Sequence, residues 1–254
     1  MISKNKIKYI HSLEQKKNRD AEHVFVAEGP KVLADIVAIH PDKLRTIIAT
    51  EDWISANSAK IDLSHVETIT VTTAELSKTS FLCHPQQAIG VFEKFDTELP
   101  DMTHGNTLTL ALDGVQDPGN LGTIVRVADW FGIEDIVCSH DTVDIYNPKV
   151  VQATMGSVAR VNVAYTDLAT FLDSLPKEIP IYGTLLEGKN MYATQLTNNG
   201  VIVMGNEGKG ISEEIRHRIT QAIRIPNFPE SRETADSLNV AIATAIVCAE
   251  FRRG

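Results

Sequence analysis

Cysteine is scarce in this sequence. Its 254 residues hold three, Cys83, Cys138 and Cys248, far apart and with no CxxC among them. An odd, scattered set writes neither a disulfide framework nor a zinc ribbon, and it points to a reducing compartment, the cytoplasm. All three lie in apolar contexts and are expected in the core. Long hydrophobic runs are also missing. The uncharged apolar stretch Ser237 to Ala249 is about a dozen residues where a membrane span needs about 20. The opening MISKNKIKYIHSLEQKK has scattered charges and no apolar core, so no signal peptide is expected. The eight histidines show no HxH or HExxH spacing, which removes the usual metal signatures. There is no GxSxG nucleophile elbow. Positive charge is in the minority, 24 Lys and Arg against 33 Asp and Glu, for a net charge of −9. That balance argues against a nonspecific polyanion binder.

The charge is uneven, however. Residues 1–19 carry Lys4, Lys6, Lys8, Lys16, Lys17 and Arg19 against the single carboxylate of Glu14. Such an arm either meets a polyanion locally or is a solvated helix face. Hydrophobic residues at 43% and charged residues at 22% are ordinary globular composition. The length suits two small domains or one large one. The polar stretch KFDTELPDMTHGNT (94–107), with Pro100 and Gly105, separates two periodic halves and reads as a linker. The expected domains are therefore 1–96 and 107–254, joined by 97–106.

The first half alternates helix and strand. A basic helix is expected over 3–18, strands over 23–28, 44–50, 66–71 and 88–95, and helices over 31–39 and 51–59. The second half reads as strands at 107–113, 133–139, VNVAYT, IPIYGTLL, GVIVMG and AIRIPNF, with helices between, a pattern that implies parallel pairing. Asn120 can cap the helix that Gly132 ends, and Leu121, Ile124, Val125 and Ala128 form its apolar stripe, with Arg126 well away from it. Asn147-Pro148 opens another helix. The last helix, about 237–252, is apolar nearly all round and is expected to be buried.

Three loops that follow strands could carry chemistry, since open α/β sheets bind ligands there. The first is DGVQDPGNLGTIVR (113–126). Its glycines do not space as GxGxxG, and Arg126 is either functional or a surface charge. The second is VIVMGNEGKGIS (201–212). It fails the Walker pattern because Ile211 follows Gly210, yet its glycine density suggests close backbone approach to a ligand or another segment. Glu207 within it is a functional carboxylate or a loop charge. The third is RIPNFPESRETADSLNV (224–240). Ser237 or Asp236 can cap the last helix, while Asn239 is a polar side chain at the start of an apolar helix and needs partners.

Together and in this order, NLGTIVRVADWFG (120–132), VIVMGNEGKGIS (201–212) and IP…SLNVAIA (225–243) resemble the SpoU, or TrmH, family of RNA ribose 2′-O-methyltransferases. The resemblance covers the C-terminal half and extends through FVAEGPKVLADI (25–36), which is similar to the family's N-terminal substrate-binding module. It implies an α/β fold. A C-terminal parallel-sheet domain with a deep trefoil knot, of the SPOUT class, follows a small α/β RNA-binding domain. It implies S-adenosylmethionine as cofactor, ribosomal or transfer RNA as substrate, and a homodimer. Carried over to this sequence, the cofactor contacts are Met204, Gly205, Ile225 and Leu238. The polar catalytic set is Asn120, Arg126, Glu207, Ser237 and Asn239. Arg126 matches the family's proposed base; the alternative role is clamping the target phosphate, for which the guanidinium fork is apt. Glu207 and Asn239 would position Arg126 and the substrate. The sequence departs from the family in a longer third loop, 226–237, and in Ala241, where many relatives carry Ser.

Two other readings compete. One is a non-catalytic RNA-binding or ribosome-assembly protein on the same scaffold, against which the retained polar set argues. The other is a nicotinamide-dependent oxidoreductase, against which the missing GxGxxG argues.

Overall fold

The computed structural model describes residues 2–102, 107–229 and 232–253. In chain order the elements are α1 (Lys4–Ser12), α2 (Lys16–Glu22), β1 (Val24–Glu28), α3 (Pro30–Ile39), β2 (Leu44–Ala49), α4 (Glu51–Asn57), β3 (Glu67–Thr70), α5 (Thr73–Thr79) and β4 (Ala88–Glu93). They continue with β5 (Leu108–Asp113), α6 (Pro118–Trp130), β6 (Asp135–Cys138), α7 (Pro148–Thr154), β7 (Asn162–Tyr165), α8 (Leu168–Asp173) and β8 (Ile181–Asn190). The chain ends through β9 (Gly200–Gly205), α9 (Glu213–Arg216), β10 (Gln221–Arg224) and α10 (Val240–Phe251). Contacts divide it into two compact units, 1–96 with 144–160, and 97–143 with 161–254. The segment 144–160 thus lies in the first unit, although its sequence position suggested the C-terminal domain. Residues 103–106 of the expected linker fall outside the described residues.

The first unit is built on a four-stranded sheet ordered β1-β4-β2-β3. Strand β4 runs antiparallel to both its neighbours, and β2 runs parallel to β3. Ile2, Ile10 and Leu13 join Val24, Val26, Ile48, Leu76, Ile89 and Val91 in one buried cluster, so the basic arm is part of the core. The single helix expected over 3–18 is broken in two, and Arg19 provides the reason. Its Nη1 donates to the carbonyls of Leu13 (2.8 Å) and Glu14 (2.7 Å), which lie just past the end of α1. A cation satisfying carbonyls left open at a helix end is a favourable stop. Its Nη2 pairs with Asp144 at 2.6 Å, at side-chain exposures of 1% and 11%. Removing one partner of such a buried pair costs about 3–5 kcal/mol, so this contact ties 144–160 to the unit. Helix α5 was not anticipated, although its capping box is legible: the Thr72 hydroxyl accepts from the Glu75 amide while Glu75 accepts from the Thr72 amide.

The second unit carries a six-stranded sheet ordered β10-β8-β9-β5-β6-β7, and every pair in it is parallel. Strands β5 and β9 are buried along their whole length, the mark of central strands covered on both faces. Their register sets Asp113 beside Gly205 at the carboxyl edge. Helix α6 buries the predicted stripe Leu121, Ile124, Val125 and Ala128. Its cap is Asp117, whose side chain accepts from the Asn120 amide at 2.8 Å, with Pro118 in the first turn. The expected cap Asn120 is therefore displaced. Proline suits the first helical position, which moves the cap one residue before it. The same correction holds for α10, which Asn239 caps in place of Ser237 or Asp236. Nor is α10 buried all round: Ile242 is 53% exposed. Of the cysteines, Cys138 and Cys248 are buried, whereas Cys83 is exposed: its loop packs Phe81 against the core and leaves Cys83 outside it. Burial pushes the Cys138 thiol far up and that of Cys248 up to about 12, which leaves both inert as nucleophiles.

Candidate active site

The three loops singled out in the sequence converge at the carboxyl edge of the second sheet. Loop 114–117 leaves β5, loop 206–212 leaves the adjacent β9, and the third loop leads into α10. Loop 206–212 closes on itself through paired Asn206–Gly210 backbone hydrogen bonds, both 2.9 Å. Asn206 then braces it: its Nδ2 donates to the Gly114 carbonyl at 2.6 Å, while its Oδ1 accepts from the amides of Gly208 and Lys209. Asp113 accepts from the Ser212 amide at 2.6 Å. A Cβ on Gly205 would lie 2.2 Å from the Gly210 carbonyl carbon and 2.3 Å from the Ile211 amide. The glycine is thus required by the tight closure of loop 206–212, whatever else binds there.

Glu207 is the hub of the polar set. Its carboxylate accepts from the amides of Gln116 (3.3 Å) and Asp117 (3.1 Å) and from Asn120 Nδ2 (2.9 Å). Burial alone would raise its pKa. The hydrogen bonds from Asn120 and from the backbone outweigh that and hold the carboxyl below the usual glutamate range. Asn120 Oδ1 in turn accepts from Asn239 Nδ2 at 2.9 Å, and Asn239 Oδ1 takes the amides of Ala241 (3.0 Å) and Ile242 (3.2 Å) at the start of α10. The result is one directed chain of donors, from the helix N-terminus through Asn239 and Asn120 to a carboxylate. Each link polarises the next.

Three of the five polar residues predicted from sequence are therefore joined directly, and two are not. Arg126 is exposed on α6 and has no hydrogen-bond or ionic partner among the described residues. The expectation that Glu207 and Asn239 hold Arg126 gives way to Glu207 and Asn239 holding Asn120. Ser237 is exposed in the third loop, of which residues 230 and 231 lie outside the described residues. Of the expected cofactor contacts, Met204 and Gly205 are buried at the end of β9, Ile225 follows β10 at the same sheet edge, and Leu238 is 52% exposed beside Asn239. Strands β10 and β9 flank β8 in the sheet. Sequence reasoning missed Asp113, Asp117 and Asn206, the residues that shape the loops. Asp117-Pro118 was the available signal for a helix start. Among the described residues no cluster of His, Cys, Asp and Glu could hold a metal ion, and no helix is long and apolar enough to cross a membrane.

Comparison with known proteins gives this geometry a context. The model of the SpoU rRNA Methylase family matches residues 107–249, and that of the MRM3-like substrate binding domain matches residues 4–90. The chain is 27% identical over 260 residues to the 23S rRNA (guanosine(2553)-2′-O)-methyltransferase RlmP of Bacillus subtilis, covering 97% of this chain and 96% of that protein. A TrmH-family protein from Porphyromonas gingivalis superposes with a TM-score of 0.87 at 36% identity, over 100% of this chain and 99% of the other. An AdoMet-bound rRNA methyltransferase from Sinorhizobium meliloti gives 0.85 at 30% identity, over 100% and 96%.

Proposed function

The chain belongs to the SpoU rRNA methylase family, and we infer that it transfers a methyl group from S-adenosylmethionine to a ribose 2′-hydroxyl of RNA. The observation that carries this reading is the hydrogen-bond chain Asn239–Asn120–Glu207, which gathers the three signature loops into one site. The cofactor, when bound, supplies a methyl on a sulfonium and leaves as a neutral thioether. What remains to the protein is alignment and removal of the hydroxyl proton.

Met204, Gly205, Ile225 and Leu238 form the cofactor edge, reading a neutral base mainly through backbone groups. Asn120, held at both ends, fixes the first loop against the third. Arg126 clamps the phosphate of the target nucleotide and orients its 2′-hydroxyl. An exposed guanidinium keeps its charge and offers forked donors, whereas service as a base calls for desolvation or an adjacent cation. Ser237 completes the polar set from the third loop. Ribosomal RNA is the favoured substrate, in keeping with the names of the relatives.

The active form is a homodimer. Exposed Leu238, Ile242 (53%) and Trp130 (84%) lie on the elements that build the site and support this reading. A second copy would explain why α10 is apolar on its open side. The trefoil knot belongs to the same reading and rests on the family match. The first 96 residues are the substrate-binding module and the chain from 107 the methyltransferase module, whose segment 144–160 packs with the former's compact unit. Three free thiols suit the cytoplasm.

The deciding experiment is transfer of labelled methyl from S-adenosylmethionine to RNA from cells lacking this protein, wild type beside Arg126→Ala, followed by nucleoside analysis. Label on ribose, lost in the variant, is the expected result. Label on a base would overturn the 2′-hydroxyl assignment. No label in any RNA fraction would favour a binding-only protein.

A further inference from the structure

We propose that a ridge on the first unit, running from α1 over the end of α5 to loop 80–87, grips a single-stranded segment of the RNA substrate. Lys4, Lys8 and Lys78 would lie against phosphates, and the loop tip would take an unstacked base. This rests on the reading of the protein as an RNA methyltransferase and deepens it by naming the gripping surface.

The basic arm is not the uniform patch that its sequence suggests. Lys6 is paired with Glu67, and Arg19 is buried against Asp144. Both are removed from any role in phosphate binding. Lys4, Lys8 and His11 remain exposed and fall at i, i+4 and i+7 on one face of α1. Ile10, off that stripe, enters the core. Lys4 and Lys8 are about 6 Å apart along the helix, roughly one nucleotide step. His11 fixes where this stripe leads. Its Nε2 lies 2.9 Å from the Lys78 carbonyl, and its ring meets Phe81 edge-on at 5.7 Å. Lys78 is exposed at the end of α5. Among the described residues, none of Lys4, Lys8 and Lys78 has a carboxylate partner.

Loop 80–87 is held with unusual care for a surface segment. Glu28, 5% exposed, accepts from the Ser80 hydroxyl and from the Phe81 amide at 2.8 Å. The Leu82 amide donates to Ser80 Oγ at 2.9 Å. At the far end the Gln87 carbonyl accepts from Thr50, and the Ala88 carbonyl from Gly29, both at 3.0 Å. Burying a carboxylate is costly, and here both its oxygens go to the start of one short loop. Between the two anchors Cys83, His84, Gln86 and Gln87 are exposed, and none of their side chains has a hydrogen-bond partner among the described residues. A rigid loop presenting unpaired polar side chains is suited to recognition. An imidazole ring can stack on a base, and a glutamine amide can read its edge. Single-stranded RNA exposes those features, whereas a duplex hides them.

The test uses the full-length protein and unmodified total RNA from cells lacking it. Lys4→Gln/Lys8→Gln/Lys78→Gln is compared with Lys31→Gln/Lys60→Gln/Lys177→Gln, an equal charge change on exposed lysines elsewhere. The ridge triple should flatten the slope of log affinity against log salt by about 2, at about 0.7 per single-strand phosphate lost. KM for RNA should rise tenfold or more, with kcat and S-adenosylmethionine affinity unchanged. His84→Ala/Gln86→Ala should raise KM severalfold without altering the slope. An equal effect of the two triples, or none from either, would overturn the ridge. Absence of ribose label from wild type would instead sink the methyltransferase reading, and a ridge-dependent salt slope would survive it, so the two failures are distinguishable.

Discussion

Asn239 donates to Asn120 at 2.9 Å across 119 residues of sequence, and the other end of the Asn120 amide donates to Glu207 at 2.9 Å. Asn120 is free to do this because Asp117, three residues earlier, has taken over the helix cap. Asn120, which reads as a cap, is thus a relay, and Asn239, which reads as a polar side chain in need of partners, is the cap. Glu207, which reads as a loop charge, is the acceptor at the end.

Cutting the relay should cost activity more than stability. Asn120→Ala is expected to lower kcat by about 10- to 100-fold, while the lost hydrogen bonds cost the fold only about 1 kcal/mol each. Asn239→Ala adds loss of a helix cap, typically about 1 kcal/mol. Thermal melts and single-turnover methyl transfer on the two single variants and the double variant give the coupling directly. Strictly additive losses would mean that the two amides act independently.

Arg126 separates binding from chemistry. Arg126→Ala should reduce transfer by about 100- to 1,000-fold with S-adenosylmethionine affinity nearly intact. Arg126→Lys distinguishes clamp from base. A phosphate clamp keeps part of its function with an ammonium, about a tenth of wild-type kcat/KM, and shows no new pH dependence. A steep rise of the Lys variant's rate with pH would favour the base.

Gly205→Ala probes the closure of loop 206–212 more than the cofactor. A methyl group within 2.3 Å of the Gly210–Ile211 backbone must displace loop 206–212 and with it Glu207. Cofactor affinity should fall at least tenfold, with a lowered melting temperature, since overpacking costs about 1–3 kcal/mol. Calorimetric titration beside a thermal melt checks both. Lost affinity at full stability would restore a purely steric block of the cofactor.

Glu28 makes the first unit sensitive to pH in a stated direction. Burial, its largest influence, raises the carboxyl pKa above the ordinary glutamate value; the hydrogen bonds from Ser80 and Phe81 and the charge of His11 oppose it. A raised pKa means that its stabilising contribution is full below the unfolded value of about 4.3 and is lost as pH rises through the folded value. Glu28→Gln keeps an acceptor for Phe81 and a donor toward Ser80 without the charge. Its melting temperature should match wild type near pH 4 and exceed it at pH 8, the gap opening as pH rises. A gap that shrinks with rising pH would contradict this.

Periodicity and local sterics made much of the protein legible in advance. Alternating apolar strands and amphipathic helices specified a parallel second sheet, since those signals lie within a few residues of each other. The stripe of α6 and the start of α7 at Asn147-Pro148 follow from the same local rules. The signature loops were visible as text, and with them the identity of the polar set. Only the tertiary structure decided which of those groups touch. The links Asn239–Asn120, Asn120–Glu207 and Arg19–Asp144 span 119, 87 and 125 residues, and no local pattern encodes such a pairing. The same holds for the charge of the arm, where folding neutralises Lys6 and Arg19 and leaves Lys4 and Lys8 free. It holds also for 144–160, which packs with the first unit and carries a buried ion pair that forms only when distant segments meet. Sequence sets what each segment prefers to be; solvent exclusion and hydrogen-bond satisfaction across the whole chain set what each side chain is left to do.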